Sequence, residues 1–287
     1  MAVFQAVADE SDGPDQQGAF LFGGFVAPAQ DWNNWFDPAW EDRVIKRKPV
    51  IPYFHMVEMR SPSWRAAIGL GSAEAESRID EAARVIGSSG SLHLVRTQLD
   101  GGVFREVFKA TKVVRTGHQP GWYPLEPDYL GFLGFAYGAL EWVADNYPDA
   151  ETVDFLVERK SKVTHRIGDF HKTLGDALRE KGKPHLVRLI GSLNSGEKNR
   201  VPLQAADMAM WHLRRLATGT CDQRDLVRLG WMFDGRRITE NGMTAEEISA
   251  FAERSKKNRV AGPFTPKRKR AIGGASPESE NQADGQA

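Results

Sequence analysis

The sequence predicts an α/β domain, a mixed sheet flanked by helices. Three observations predict it. Two apolar runs, Val3 to Ala8 and Ala19 to Ala27, flank a polar turn at Asp12-Gly13-Pro14-Asp15, as in a hairpin that starts a sheet. Further on, short apolar runs alternate with segments of helical period, which places helices on the faces of that sheet. Two of the apolar runs finish in acids, at Asp9-Glu10 and at Glu158. In open α/β sheets functional residues gather near such carboxyl ends.

The elements follow in order. Trp32, Trp35, Phe36 and Trp40 recur at near-helical spacing and read as a core-facing stripe. Phe54 to Glu58 is a short element after a proline-containing stretch. Ser72 reads as the N-cap of a helix through Ile86, with Ile79, Ala82, Ala83 and Ile86 on one face. Ser91 to Thr97 reads as a strand, and Asp128 to Asn146 as a long helix stopped by Pro148. Val153 to Glu158 is a strand, followed by a helix from Val163 to Lys181. His185 to Ile190 reads as another strand, and Gly191 to Arg200 as a polar loop. Pro202 suits the first turn of a helix running from Leu203 to Ala217. Asp225 to Met232 and Thr244 to Arg254 read as two short helices. The predicted organisation is a main domain over 1–220, a helical extension of it over 221–256, and a basic then disordered tail over 257–287. The tail's Ser, Glu, Asn, Gln, Gly and Ala residues bury too little apolar surface to fold.

Composition narrows the classes. Hydrophobic residues make up 41% of the chain and charged residues 26%, which suits a globular core. The formal net charge is zero, so a nucleic-acid partner has to be argued from local patches. Cys221 is the single cysteine, which excludes an internal disulfide. The first residues lack a basic segment followed by a long apolar one, so no signal peptide is expected. The apolar window from Tyr129 to Val143 is shorter than the roughly 20 residues that span a bilayer. The expected location is therefore cytoplasmic, without a membrane partner; the sequence does not define an oligomeric state. Dinucleotide, Walker A, serine-hydrolase and paired-cysteine motifs are all missing.

Asp207 is a separate signal. It lies within Leu203 to Trp211, a strongly apolar helix, and shares its face with Leu203 and Trp211. A carboxylate turned toward the core needs compensation: a cation, an arginine or backbone amides. The sequence leaves these alternatives open. Carboxylates converging from several elements suit Mg²⁺ or Mn²⁺, hard ions that prefer oxygen ligands. Such ions can activate water against a phosphodiester.

At these residues the chain resembles the uncharacterised DUF3800 family. The matching pieces are Asp9-Glu10-Ser11, the Phe22-to-Val26 strand, the Trp32-to-Trp40 stretch, Phe54-His55-Met56, the Val153-to-Glu158 strand and Pro202 to Asp207. They occur in the expected order over about the first three-quarters of the chain. The resemblance implies an RNase H-like fold and, by analogy, a metal-dependent nuclease site. It puts the family's leading acid on Asp9, with Glu10 beside it, its mid-sheet acid on Glu158 and its helix acid on Asp207. The family more often has aspartate where Glu158 stands; glutamate is longer and could shift an ion.

His55 is then a candidate general base or substrate contact, with a satisfied, partly buried histidine as the plain alternative. Glu58, three residues on, is a candidate fourth metal ligand or a surface acid. Lys160, Lys162 and Arg166 after Glu158, and Lys198 and Arg200 in the following loop, are candidate phosphate contacts. Each also fits an ordinary polar surface. His165, Asp169 and His171 read as a solvated face. The basic stretch from Lys256 to Arg270 fits either a nucleic-acid grip or a solvated linker. The expected function is a nuclease using Mg²⁺ or Mn²⁺ on DNA or RNA. The alternative is an inactive module of the same fold that binds nucleic acid or protein in a regulatory or defence role.

Overall fold

A computed structural model describes residues 2–11, 19–108, 112–115, 121–124, 127–159, 163–235 and 238–250. The first two strands, β1 (Ala2–Glu10) and β2 (Ala19–Pro28), form the expected antiparallel hairpin, with Ala8 opposite Gly24. A continuous helical run follows over residues 29–45. Its α-helical pieces, α1 (Ala29–Asp31) and α2 (Asp37–Trp40), alternate with π-helical turns at Trp32–Phe36 and Glu41–Ile45. The wider π turn aligns residues four apart. Trp32, Phe36 and Trp40 are buried on one side, whereas Trp35 is 39% exposed, so the aromatic stripe omits Trp35. Arg78 donates to the carbonyls of Val44, Arg47 and Pro49, which satisfies the end of this run.

Next come α3 (Met56–Arg60), α4 (Pro62–Ala67) and α5 (Ser72–Ser88). The N-cap of α5 is Gly71 rather than Ser72, because Glu74 reaches back to accept the Gly71 N–H at 2.8 Å. The strand β3 (His93–Asp100) pairs antiparallel with β2. It leads to α6 (Gly101–Phe108), a hairpin of β4 (Lys112–Arg115) and β5 (Gly121–Pro124), and α7 (Pro127–Asn146). Then β6 (Ala150–Glu158) pairs parallel with β1, and α8 (Val163–Glu180) follows it.

Two expectations after α8 are corrected. Residues Pro184–Leu189 form a 3₁₀ helix rather than a strand. The strand is β7 (Ile190–Gly196), in the segment expected to be a polar loop. It is an edge strand pairing with β6 alone, so it needs no apolar run. Its backbone is secured by Asp154, whose Oδ1 accepts from both the Ser192 N–H and hydroxyl at 2.7 Å.

The chain continues into α9 (Val201–Ala217) and α10 (Gln223–Phe233). An unexpected strand, β8 (Ile238–Met243), then joins the sheet parallel to β3. It too is polar and at an edge. Of the helix expected over Thr244 to Arg254, residues 245–250 are helical, and the rest lies outside the described residues. The predicted tail over 257–287 and its basic stretch also lie outside them. Among the described residues, no helix is long and apolar enough to cross a membrane.

The result is a six-stranded mixed sheet in the order β7-β6-β1-β2-β3-β8, with helices on both faces. Strand alternation divides the core. Phe4, Ala6, Ala8, Phe22, Phe155 and Val157 face α7 and α8. Val7, Leu21, Phe25, Leu156 and Leu94 face α5, α9 and α10. Gly24 permits the close crossing of α9: a Cβ there would lie 2.0 Å from the Val7 carbonyl oxygen and 3.1 Å from Ala206 Cβ. Gly24→Ala is therefore expected to lower Tm by several degrees. Gly90→Ala, which meets nothing within 4 Å, is the control and is expected to leave Tm within about 2 °C. Equal melting of the two variants would refute this account of the crossing.

Candidate functional site

Asp9 and Glu158 end adjacent parallel strands. Ala8 pairs with Val157, so the next residues, Asp9 and Glu158, stand side by side at one rim. By alternation both share the α9 side with Val7 and Leu156. Asp9 is 5% exposed, and its Oδ1 accepts the Glu10 N–H at 2.9 Å. Asp9, Glu10 and Glu158 each offer a carboxylate oxygen within 4.8 Å of the others. Burial, reinforced by Asp9 and Asp207 and opposed by Lys198, raises the pKa of Glu158 to about 7. Three acids at this range fit a divalent cation, which replaces their mutual repulsion with attraction.

Asp207 comes to the same cleft from α9, although it lies outside that close trio. One turn earlier, the buried Gln204 accepts the Trp40 indole N–H at 2.9 Å and the Phe54 N–H at 3.0 Å. Asp207 Oδ2 accepts the Met56 N–H at 2.7 Å, which satisfies a donor at the start of α3. The two bonds hold segment 54–56 against α9. The backbone-amide explanation for a buried Asp207 is thus realised at one oxygen. The other, Oδ1, lies 3.6 Å from His55 Nε2.

His55 sits between two acids, its Nδ1 being 3.6 Å from Glu58 Oε2. Burial and then Lys198 lower its pKa, against the pull of Glu58 and Asp9, which keeps the ring neutral at neutral pH. A neutral imidazole can accept a proton. Glu58 accepts the Tyr53 hydroxyl at 2.8 Å and lies 3.8 Å from Lys198 Nζ. It stands behind His55, outside the trio of acids.

Of the candidate cations, Lys198 lines the cleft with Asp9 and Glu158. Arg200 is exposed at the N-cap of α9 and does not line it. Lys160 and Lys162 lie outside the described residues, and so do the side chains of Arg166, His165 and Asp169. His171 is not on a solvated face; its ring packs 5.8 Å from Phe155 and 6.4 Å from Phe132. The amphipathic face of α8 that reaches the sheet carries it inward.

Sequence reasoning missed several lining residues: Ser11, Val57, Trp211 as a wall of the cleft, and Arg214. The available signal was helical spacing, since Trp211 and Arg214 follow Asp207 by four and seven residues. The cleft encloses about 180 Å³.

The raised Glu158 pKa sets a pH dependence. A carboxyl raised from about 4.5 to about 7 binds its proton more tightly in the folded state. It therefore contributes nothing below about pH 4.5 and costs stability progressively as pH rises through 7. In EDTA, wild-type protein is expected to lose more stability than Glu158→Gln between about pH 5 and 8. Were the trio to bind Mn²⁺, the added ion should raise the wild-type Tm more at pH 8 than at pH 5, because protons would compete with it. Equal Mn²⁺ shifts at both pH values would refute the linkage. No family model and no curated protein matches this chain.

Proposed function

We propose that this chain is an RNase H-like, metal-dependent nuclease that hydrolyses phosphodiester bonds of DNA or RNA. The observation that carries the reading is the convergence of Asp9 and Glu158, from adjacent parallel strands, with Asp207 from α9 in one cleft. The sheet supports it as well. A three-stranded antiparallel meander, β1-β2-β3, is extended beside β1 by parallel β6 and β7, and a helix after the last carries a further acid. The ordered resemblance to DUF3800 points the same way.

Asp9, Glu10 and Glu158 would hold Mg²⁺ or Mn²⁺, with Asp207 at the edge of the set. When bound, such ions supply a water of lowered pKa and neutralise charge on phosphoryl oxygens. The protein's own groups orient the rest. The Met56 N–H fixes the Asp207 carboxylate, Asp207 and Glu58 flank the neutral His55, and His55 can take up a proton. Lys198 supplies positive charge at the cleft wall. One observation favours the second reading, a binding module without catalysis: Asp207 is committed at Oδ2 to a structural bond.

Incubating the purified protein with single- and double-stranded DNA and RNA, in Mn²⁺, Mg²⁺ or EDTA, separates the two. The nuclease reading expects cutting in metal and none in EDTA. Retention of nucleic acid without cutting in any metal would overturn it in favour of the binding module.

A further inference from the structure

We propose that the acid cleft takes a single strand of nucleic acid laid along α9, with a base stacked on Trp211 and a neighbouring phosphate paired with Arg214. This rests on the nuclease reading and names the form of its substrate. An α-helix rises 1.5 Å per residue, so Trp211 and Arg214 lie roughly 6 and 10 Å along the axis from Asp207. That span suits successive nucleotides of an extended strand. Both residues line the cleft that holds Asp9, Glu10 and Glu158.

Their chemistry fits the two halves of a nucleotide. Among the described residues, no acid pairs with Arg214, whereas its neighbour Arg215 is committed to Asp225 at 2.7 Å. A guanidinium at the cleft wall that no acid pairs among the described residues suits a phosphate. Trp211 is packed partly against the core, so its ring is held in place. Its buried indole N–H has no acceptor among the described residues. Val57, which is 55% exposed, adds an apolar surface to the same cleft. A fixed aromatic face beside a cation is the pattern on which unpaired bases stack. In a duplex both faces of each base are already covered by neighbours.

The test measures binding apart from cleavage. A labelled oligothymidylate, alone or annealed to oligoadenylate, is titrated in Ca²⁺ by fluorescence anisotropy. The single strand is expected to bind more tightly than the duplex. Trp211→Ala should weaken it roughly tenfold or more, and Trp211→Phe should restore most of the loss. Arg214→Gln should lower the slope of log affinity against log salt by about 0.7. Duplex binding as tight as single-strand binding overturns the proposal. Unchanged affinity and salt slope in Trp211→Ala and Arg214→Gln also overturn it. Such a result alongside metal-dependent cutting removes only the strand path; strand binding as expected with no cutting removes only the nuclease reading.

Discussion

Asp9→Asn is expected to reduce metal-dependent cleavage by roughly a thousandfold or more, about 4 kcal/mol of transition-state stabilisation. Asp9 is the most buried of the cleft's acids and belongs to the trio whose oxygens lie within 4.8 Å. The amide still accepts the Glu10 N–H through its oxygen but lacks the charge that would hold a cation. Removing one of several crowded negative charges should leave Tm unchanged or raised, so lost activity would not reflect unfolding. Asp207→Asn makes the informative contrast. Its oxygen can still accept the Met56 N–H, so the fold is retained, and a smaller loss of activity is expected from a residue at the edge of the set. The measurement is single-turnover cleavage with both variants in Mn²⁺. Cleavage by Asp9→Asn within about tenfold of wild type would contradict the assignment.

Asp225→Ala is expected to lower stability by about 3 kcal/mol or more without altering the acid cleft. Asp225 is fully buried where α10 meets α9 and α5. It accepts Arg215 Nε at 2.7 Å, and its other oxygen lies 3.5 Å from His212 Nε2, 3.7 Å from Arg60 and 3.9 Å from Arg228. Arg228 also pairs with Glu76 at 2.6 Å and Asp80 at 2.8 Å on α5. Burial lowers the pKa of His212 to about 4, so the ring is neutral and the arginines balance Asp225 at neutral pH. Alanine removes the acceptor of the Arg215 Nε–H, the one carboxylate that Arg215, His212, Arg60 and Arg228 share, and the half of the reciprocal cap in which Asp225 accepts the Asp222 N–H. At about 2–4 °C per kcal/mol, Tm should fall by roughly 6 °C or more. A fall of less than about 2 °C would show that the network is not stabilising.

The legible parts of the molecule were those with strong apolar patterning. Asp9 and Glu158 stood out because apolar strands ended on them, and parallel pairing brought them together as strand alternation requires. Asp207 stood out as a charge within an apolar helix. Its partner did not, because the Met56 N–H is 151 residues away in sequence and a backbone donor leaves no residue-type signature. Both β7 and β8 were hidden for a common reason: edge strands need only one neighbour and carry polar residues that read as loop. Trp35 was misplaced because the π turns change the helical phase. Arg214 and Trp211 were obscured in α9, where an arginine and a tryptophan read equally well as surface and core. What the fold added was the cleft they share with the acids.

On the proposed reading, Asp9, Glu10 and Glu158 hold a divalent ion. Anomalous diffraction from crystals grown with Mn²⁺ tests it most directly. A manganese peak is expected within about 2.0–2.6 Å of oxygens from these three carboxylates, and is expected to be lost in Asp9→Asn. Crystals without a peak at this rim, or with manganese bound only elsewhere, would contradict it.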